Sequence, residues 1–207
     1  CSPCTPGMYC LTPGLTAPTG LCQAGYFCGG GSPVPTPHDS SDGSSSFIIN
    51  YVGETCVSFN SSSRNDLCPP GHYCPEGSIS PVQCPPGRNS SSTGLQSVED
   101  CPLCTAGFYC PLNGTVFATR LCPEGYFCPA GSANFSASAA PIPCPVGFNC
   151  PLGSSAPQPC GAGYFIDTKG SGSSESCKSC PSGYYCEVNT TLPAPCPLGS
   201  FCPRATR

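Results

Sequence analysis

The longest apolar group in this chain is Phe47-Ile48-Ile49-Asn50-Tyr51-Val52, and its most regular apolar positions are aromatic residues standing just before a cysteine. Phe47 to Val52 and Thr55 to Phe59 are β-branched and aromatic runs separated by Gly53-Glu54, which predicts a hairpin with Cys56 on its second strand. No apolar run approaches the ~20 residues that span a bilayer, so no membrane insertion is expected.

The aromatic positions belong to a small block, Cys-x-x-Gly, opened by Cys4, Cys22, Cys68, Cys84, Cys104, Cys122, Cys144, Cys160, Cys180 and Cys196. Eight of these blocks continue as Gly-x-x-Cys, and in seven the residue before that Cys is Tyr or Phe; Asn149 is the exception. The pattern predicts a tight turn and a stub of strand. Pro after the Cys, as at Pro69 or Pro123, fixes φ, Gly supplies the positive φ of a type II turn, and the aromatic ring covers a disulfide.

Above the block stands a period of 76 residues. Cys68, Cys74, Cys84, Cys101, Cys104 and Cys110 recur at Cys144, Cys150, Cys160, Cys177, Cys180 and Cys186 with identical spacings. Cys122 and Cys128 recur at Cys196 and Cys202, two residues early. Cys1, Cys4, Cys10, Cys22 and Cys28 reproduce the spacings of Cys101 through Cys128, so the chain begins within a module. The expected organisation is a partial module over 1–28, an insertion over 29–67, a module over 68–143 and an incomplete module over 144–207. Within the insertion, residues 29 to 46 are Gly-, Ser- and Pro-rich and read as a linker unable to bury enough apolar surface to order itself.

Composition sharpens this picture. Among 207 residues there are 22 Cys, 28 Pro and 25 Gly, but only 34 Leu, Ile, Val and Phe together. Cysteine therefore replaces an aliphatic core, as in disulfide scaffolds, which persist in oxidising compartments. The expected fold is small and disulfide-rich: elongated tandem cysteine-rich modules, mostly coil and turns with short β-hairpins and little or no helix. The expected location is extracellular or at a cell surface. A net charge of −4 leaves no footprint for nucleic acid. The chain opens on Cys1 without a signal peptide, so a secreted route implies a mature fragment or one segment of a longer protein.

The run Cys84-Pro85-Pro86-Gly87, Gly94, Glu99-Asp100-Cys101-Pro102-Leu103-Cys104, Gly107-Phe108-Tyr109-Cys110, with its copy from Cys160 to Cys186, resembles the ephrin-receptor-like cysteine-rich module of secreted and surface proteins. Tandem copies with Tyr-Cys endings in a Ser-, Pro- and Gly-rich background also resemble algal mastigoneme-type and other fibre-forming surface glycoproteins. The family resemblance implies a disulfide-stapled extracellular spacer and pairs Cys84 with Cys101 and Cys160 with Cys177. Sequence leaves the other pairings open. By analogy with Cys101, Cys1 wants a partner about 17 residues upstream, which leaves Cys56 as the natural odd cysteine.

Candidate chemistry is dominated by modification. Asn-x-Ser/Thr sequons stand at Asn60, Asn89, Asn113, Asn134 and Asn189, although the chain has only eight Asn, which points to N-glycans on exposed loops. Asn89 and Asn134 lie in long inter-cysteine loops that favour access; Asn189, three residues after a Cys, is less favoured. Pro33, Pro35 and Pro37 alternate with Val34 and Thr36, favouring polyproline II. Such Pro resembles the hydroxylated, O-glycosylated residues of algal and plant surface glycoproteins; a bare spacer is the alternative. The three Cys-x-x-Cys pairs have zinc-like spacing, but the regular cysteine pairs and the sequon excess argue for disulfides. His38 and His72 have no nucleophile context, and Glu99-Asp100 and Asp39 with Asp42 lack the pattern of a calcium loop. No catalytic residue, metal or cofactor is expected.

The sequence thus points to a structural extracellular glycoprotein, the repeating body of a filament, stalk or matrix, self-associating and carrying covalent glycans. The competing reading is a ligand-binding ectodomain segment of a receptor or adhesin, using the 47–59 hairpin or exposed aromatic residues.

Overall fold

The structure, a computed structural model, describes residues 3–37, 50–51, 54–55, 65–134 and 140–207. Among them are short antiparallel two-stranded pairs, two single 3-10 turns at Val98–Asp100 and Ser174–Ser176, and no α-helix. The fold is small and disulfide-rich with a tandem repeat.

Each block folds for a local reason. In the block opened by Cys104, the Phe108 N–H donates to the Thr105 carbonyl at 3.0 Å and Gly107 takes φ 85°, the third position of a type II turn, where a side chain would clash with its own backbone. Pro69 and Pro123 occupy the first corner and accept the turn's hydrogen bond from His72 and Tyr126, so Gly alone carries the unusual φ.

A second turn of the same kind follows the closing cysteine. In Cys74-Pro75-Glu76-Gly77-Ser78, Gly77 has φ 78° and the Ser78 N–H and hydroxyl both donate to the Pro75 carbonyl. Ser132 and Ser154 repeat this against Pro129 and Pro151. The two Ser side chains are buried, since the carbonyl satisfies their hydroxyls.

The stub of strand between the turns pairs with the residues just before the next block's opening cysteine. Thus Met8–Tyr9 pairs with Gly20–Leu21, Tyr26–Cys28 with Asn65–Leu67, Phe108–Tyr109 with Arg120–Leu121, and Tyr184–Tyr185 with Ala194–Pro195. Backbone hydrogen bonds extend the join. The Gly107 N–H donates to the Cys128 carbonyl at 2.8 Å, the Cys122 N–H to the Gly107 carbonyl at 2.9 Å, the Cys110 N–H to the Ser132 carbonyl at 2.9 Å, and the Gly131 N–H to the Cys104 carbonyl at 2.8 Å. The same four donors and acceptors recur where Cys180 follows Cys160: Gly163 to Cys186, Cys180 to Gly163, Ile166 to Thr190 and Asn189 to Cys160.

The buried apolar side chains are nearly all cysteine. Eight disulfides close a block on itself: Cys4–Cys10, Cys22–Cys28, Cys68–Cys74, Cys104–Cys110, Cys122–Cys128, Cys144–Cys150, Cys180–Cys186 and Cys196–Cys202. The other two among the described residues join Cys84 to Cys101 and Cys160 to Cys177. In those two blocks the place of the closing cysteine is taken by Ser90 and Ile166, both buried. Ile166 is fully buried and is the largest side chain in this core.

Two compact units divide the chain, and they do not follow the 76-residue period. One contains Cys1–Pro85, Asn89–Pro102 and Asn113–Phe117; the other contains Pro86–Arg88, Leu103–Leu112 and Ala118–Arg207. The reason lies in the direction of the bonds. The Cys84–Cys101 disulfide and the Asn89 N–H to Pro102 carbonyl bond hold 89–102 within the first unit, while Gly87, bonded to Cys104 and Cys110, holds 86–88 in the second.

The insertion has the expected hairpin, but part of its linker is ordered. Residues 29–37 are folded: the Gly31 N–H donates to the Cys4 carbonyl, the Cys10 N–H to the Ser32 carbonyl, and the Gln23 N–H to the Pro35 carbonyl, all at 2.9 Å. The Asn65 amide bonds Gly30 through both its oxygen and its nitrogen. Gly29 to Ser32 stand where other blocks have their second turn, and backbone hydrogen bonding orders a segment that composition alone would leave loose. Asn50–Tyr51 pairs with Glu54–Thr55 in the register Tyr51↔Glu54, which puts Glu54 on the second strand rather than in the turn. Residues 38–49, 52–53 and 56–64 lie outside the described residues, and with them fall His38, Asp39, Asp42, Cys56 and Asn60; Cys1 does so too.

Candidate functional site

The side chains that carry chemistry divide into those used by the scaffold and those presented outward. Every cysteine among the described residues is in a disulfide. No group of three or more His, Cys, Asp or Glu among the described residues is placed to hold a metal ion. Among those residues, no helix is long and apolar enough to cross a membrane.

Asp100 is consumed by its own turn. Its Oδ2 accepts the backbone N–H of Gln96 at 3.0 Å and of Ser97 at 2.9 Å, and these bonds hold its carboxyl below the ordinary carboxylate range. In the second module Ser176 stands where Asp100 does, its hydroxyl 3.5 Å from that of Ser173. Asp167 is bound by Lys178, whose Nζ donates to both carboxylate oxygens at 2.8 and 2.9 Å; that hydrogen bond holds its carboxyl below the ordinary range as well. The Lys178 ammonium also lies 5.9 Å from the centroid of the Phe165 ring. His72 Nδ1 lies 2.9 Å from the Pro70 carbonyl oxygen, within its own turn.

The four described sequons differ in access, and not as loop length suggested. Asn113 and Asn189 are exposed on second turns: Asn113 precedes Gly114, and Asn189 itself takes the left-handed φ of 65° at the place held by Gly in most blocks. Asn89 is half-buried. It occupies the place of the block's aromatic residue, its Nδ2 donates to the Val116 carbonyl at 3.3 Å, and its Oδ1 is buried without a partner. The nitrogen that would carry a glycan is thus turned toward protein. Asn134 is half-buried. Of the three alternating prolines, Pro33 and Pro35 are half-buried and Pro37 is buried.

Comparison of the chain with protein-family models, and with curated proteins, gives no match.

Two features escaped the sequence reading. Asn149 is one: it replaces the aromatic residue, is buried, and donates from Nδ2 to the Gln158 carbonyl at 3.3 Å and toward Cys177 Sγ at 3.7 Å. The second turn is the other, and its signal was available. Cys74, Cys128 and Cys150 each open a Cys-Pro-x-Gly-Ser run as regular as the first turn, but counting only the opening cysteines hid it.

Exposed apolar side chains are the remaining outward feature. Phe201 is 87% exposed, whereas the aromatic residues that hold the same place in earlier blocks, such as Tyr73, Tyr109 and Phe165, are half-buried. Leu192, Leu198 and, in the other unit, Phe117 are also exposed.

Proposed function

We propose that this chain is a structural extracellular glycoprotein, forming the repeating body of a filament, stalk or matrix at a cell surface. One observation carries the reading: the same backbone join is used from block to block, so each added block lengthens the row without any new kind of contact. That is the economy of a repeat protein built for length. The cysteine supply supports an oxidising compartment. Exposed Asn113 and Asn189 suit covalent glycans, which keep such a surface soluble and shield its backbone from proteases.

Self-association is the partner reading that goes with it. Apolar side chains left exposed well inside the sequence, among them Leu112, Phe117 and Leu152, offer surface for such contacts. The same exposure favours the second reading, a receptor or adhesin segment that holds a heterologous ligand through its aromatic residues. Sedimentation of the purified glycosylated chain over a hundredfold range of concentration, with electron microscopy of native material, separates the two. Concentration-dependent growth and fibres with a regular axial repeat are expected. A stable monomer that captures a stoichiometric foreign ligand would replace the first reading with the second.

A further inference from the structure

Among the described residues the disulfide loops follow one another along the chain without nesting. The described loops run 4–10, 22–28, 68–74, 84–101, 104–110, 122–128, 144–150, 160–177, 180–186 and 196–202. None of these encloses another, and none ties a block to a distant one. The segments between loops, such as Cys110 to Cys122 or Cys186 to Cys196, are held by noncovalent bonds alone. At the Cys104–Cys122 join these are the Phe108–Tyr109 to Arg120–Leu121 pair and the four backbone hydrogen bonds named above.

From this topology we infer that the chain is an extensible, force-bearing spacer. Under tension its joins open singly, while every disulfide loop stays shut. Force along the chain reaches each join in series, because every block is bonded mainly to its immediate successors. Opening a single join frees only the segment between two loops. For the twelve-step segment from Cys110 to Cys122 that is on the order of 40 Å at full extension, less the distance it already spans.

A closed loop contributes only the Cα–Cα distance across its disulfide, 5.7 Å for Cys122–Cys128 and 6.0 Å for Cys84–Cys101, whatever length of chain it encloses. About half of the chain from Asn65 to Arg207 is inside loops and stays in reserve. Shut loops also keep each turn close to its folded geometry, which favours rapid recovery when the load falls. A spacer of this kind lengthens under load without breaking a covalent bond. The inference draws on the filament or stalk reading only for the origin of the load; the loop topology stands without it.

Single-molecule stretching tests this on the full oxidised chain, held between a handle at Asn65 and one at Arg207. Because one chain is pulled, failure to form fibres in the sedimentation experiment leaves this result untouched. A succession of small rupture events is expected, each releasing no more than one inter-loop segment and reversing on relaxation. Added reductant is expected to raise the maximum extension by roughly two-thirds, as the loops open. One all-or-none event releasing the whole length, or a maximum extension unchanged by reductant, would overturn the inference.

Discussion

Gly25 and Gly94 meet backbone to backbone: a Cβ added to Gly25 would stand 2.7 Å from the Gly94 carbonyl oxygen. The same approach recurs between Gly107 and Gly153 at 2.6 Å and between Gly147 and Asn189 at 2.8 Å. A first turn is thus covered by a second turn from further along the chain. Glycine is required twice over, once for a positive φ and once for the absence of a side chain.

Gly107→Ala meets both penalties, with φ 85° and a carbonyl in the way, and is expected to cost well over 1 kcal/mol. Gly14→Ala, with φ 75° in open space, is expected to cost about 1 kcal/mol, and Gly161→Ala, open and without a positive φ, close to nothing. Thermal unfolding of the three variants under oxidising conditions checks the order. Equal losses at Gly107 and Gly14 would mean that the approach to Gly153 carries no weight.

Ile166 stands where six-residue blocks place their closing cysteine, and it is fully buried. Ile166→Ala is expected to destabilise its unit by roughly 2–4 kcal/mol, the usual cost of emptying such a site. Ile166→Val is expected to cost about 1 kcal/mol. Denaturant titration with the disulfides intact measures both, and a null result for Ala would show that the site collapses around the smaller residue.

Asn189 holds a left-handed φ of 65° where other blocks use Gly. Asn189→Gly is expected to be neutral or stabilising and Asn189→Ala to cost about 1 kcal/mol, since Ala tolerates that region less well than Asn. Unglycosylated protein isolates the backbone effect in a melting experiment. If Ala melts with Gly, the backbone at this turn relaxes elsewhere.

Glycan occupancy follows exposure. Asn113 and Asn189 are expected to be nearly fully occupied in native material and Asn89 largely bare, because its Nδ2 faces Val116. Peptide mapping after enzymatic deglycosylation in heavy-oxygen water reads each site. High occupancy at Asn89 would mean that modification precedes folding of the 84–101 loop and that the amide turns outward.

Acid sensitivity is expected to centre on Asp100 and Asp167. Both carboxyls are lowered by hydrogen bonds in the folded state, Asp100 by the Gln96 and Ser97 N–H groups and Asp167 by Lys178. A lowered folded-state value adds stability that is fully present above the ordinary carboxylate value of 3.8 and is lost as pH falls through the lower folded value. Melting temperatures should therefore fall below about pH 4, and less steeply in Asp100→Asn and Lys178→Met. Parallel curves for wild type and both variants would assign the acid loss elsewhere.

The turn was legible in the sequence because its cause is local: Gly at the fourth place of Cys-x-x-Gly answers to a backbone angle within the same few residues. Replacement of an aliphatic core by cysteine was legible from composition, and the pairing of Cys84 with Cys101 entered through a family resemblance. Access to the sequons was not legible. Asn89 seemed open in a long loop and Asn189 cramped beside a cysteine, yet their places in the turns reverse that order.

Residue identity alone makes this protein a tandem of cysteine-opened tight turns, since the Cys, Pro and Gly of each block dictate its local geometry. Folding in three dimensions settles the rest: which carbonyl covers which glycine, that residues 29–37 join the repeat, and that 86–88 and 89–102 belong to different units. Those choices are made by backbone N–H and carbonyl groups, which every non-proline residue carries alike and which no residue pattern therefore announces.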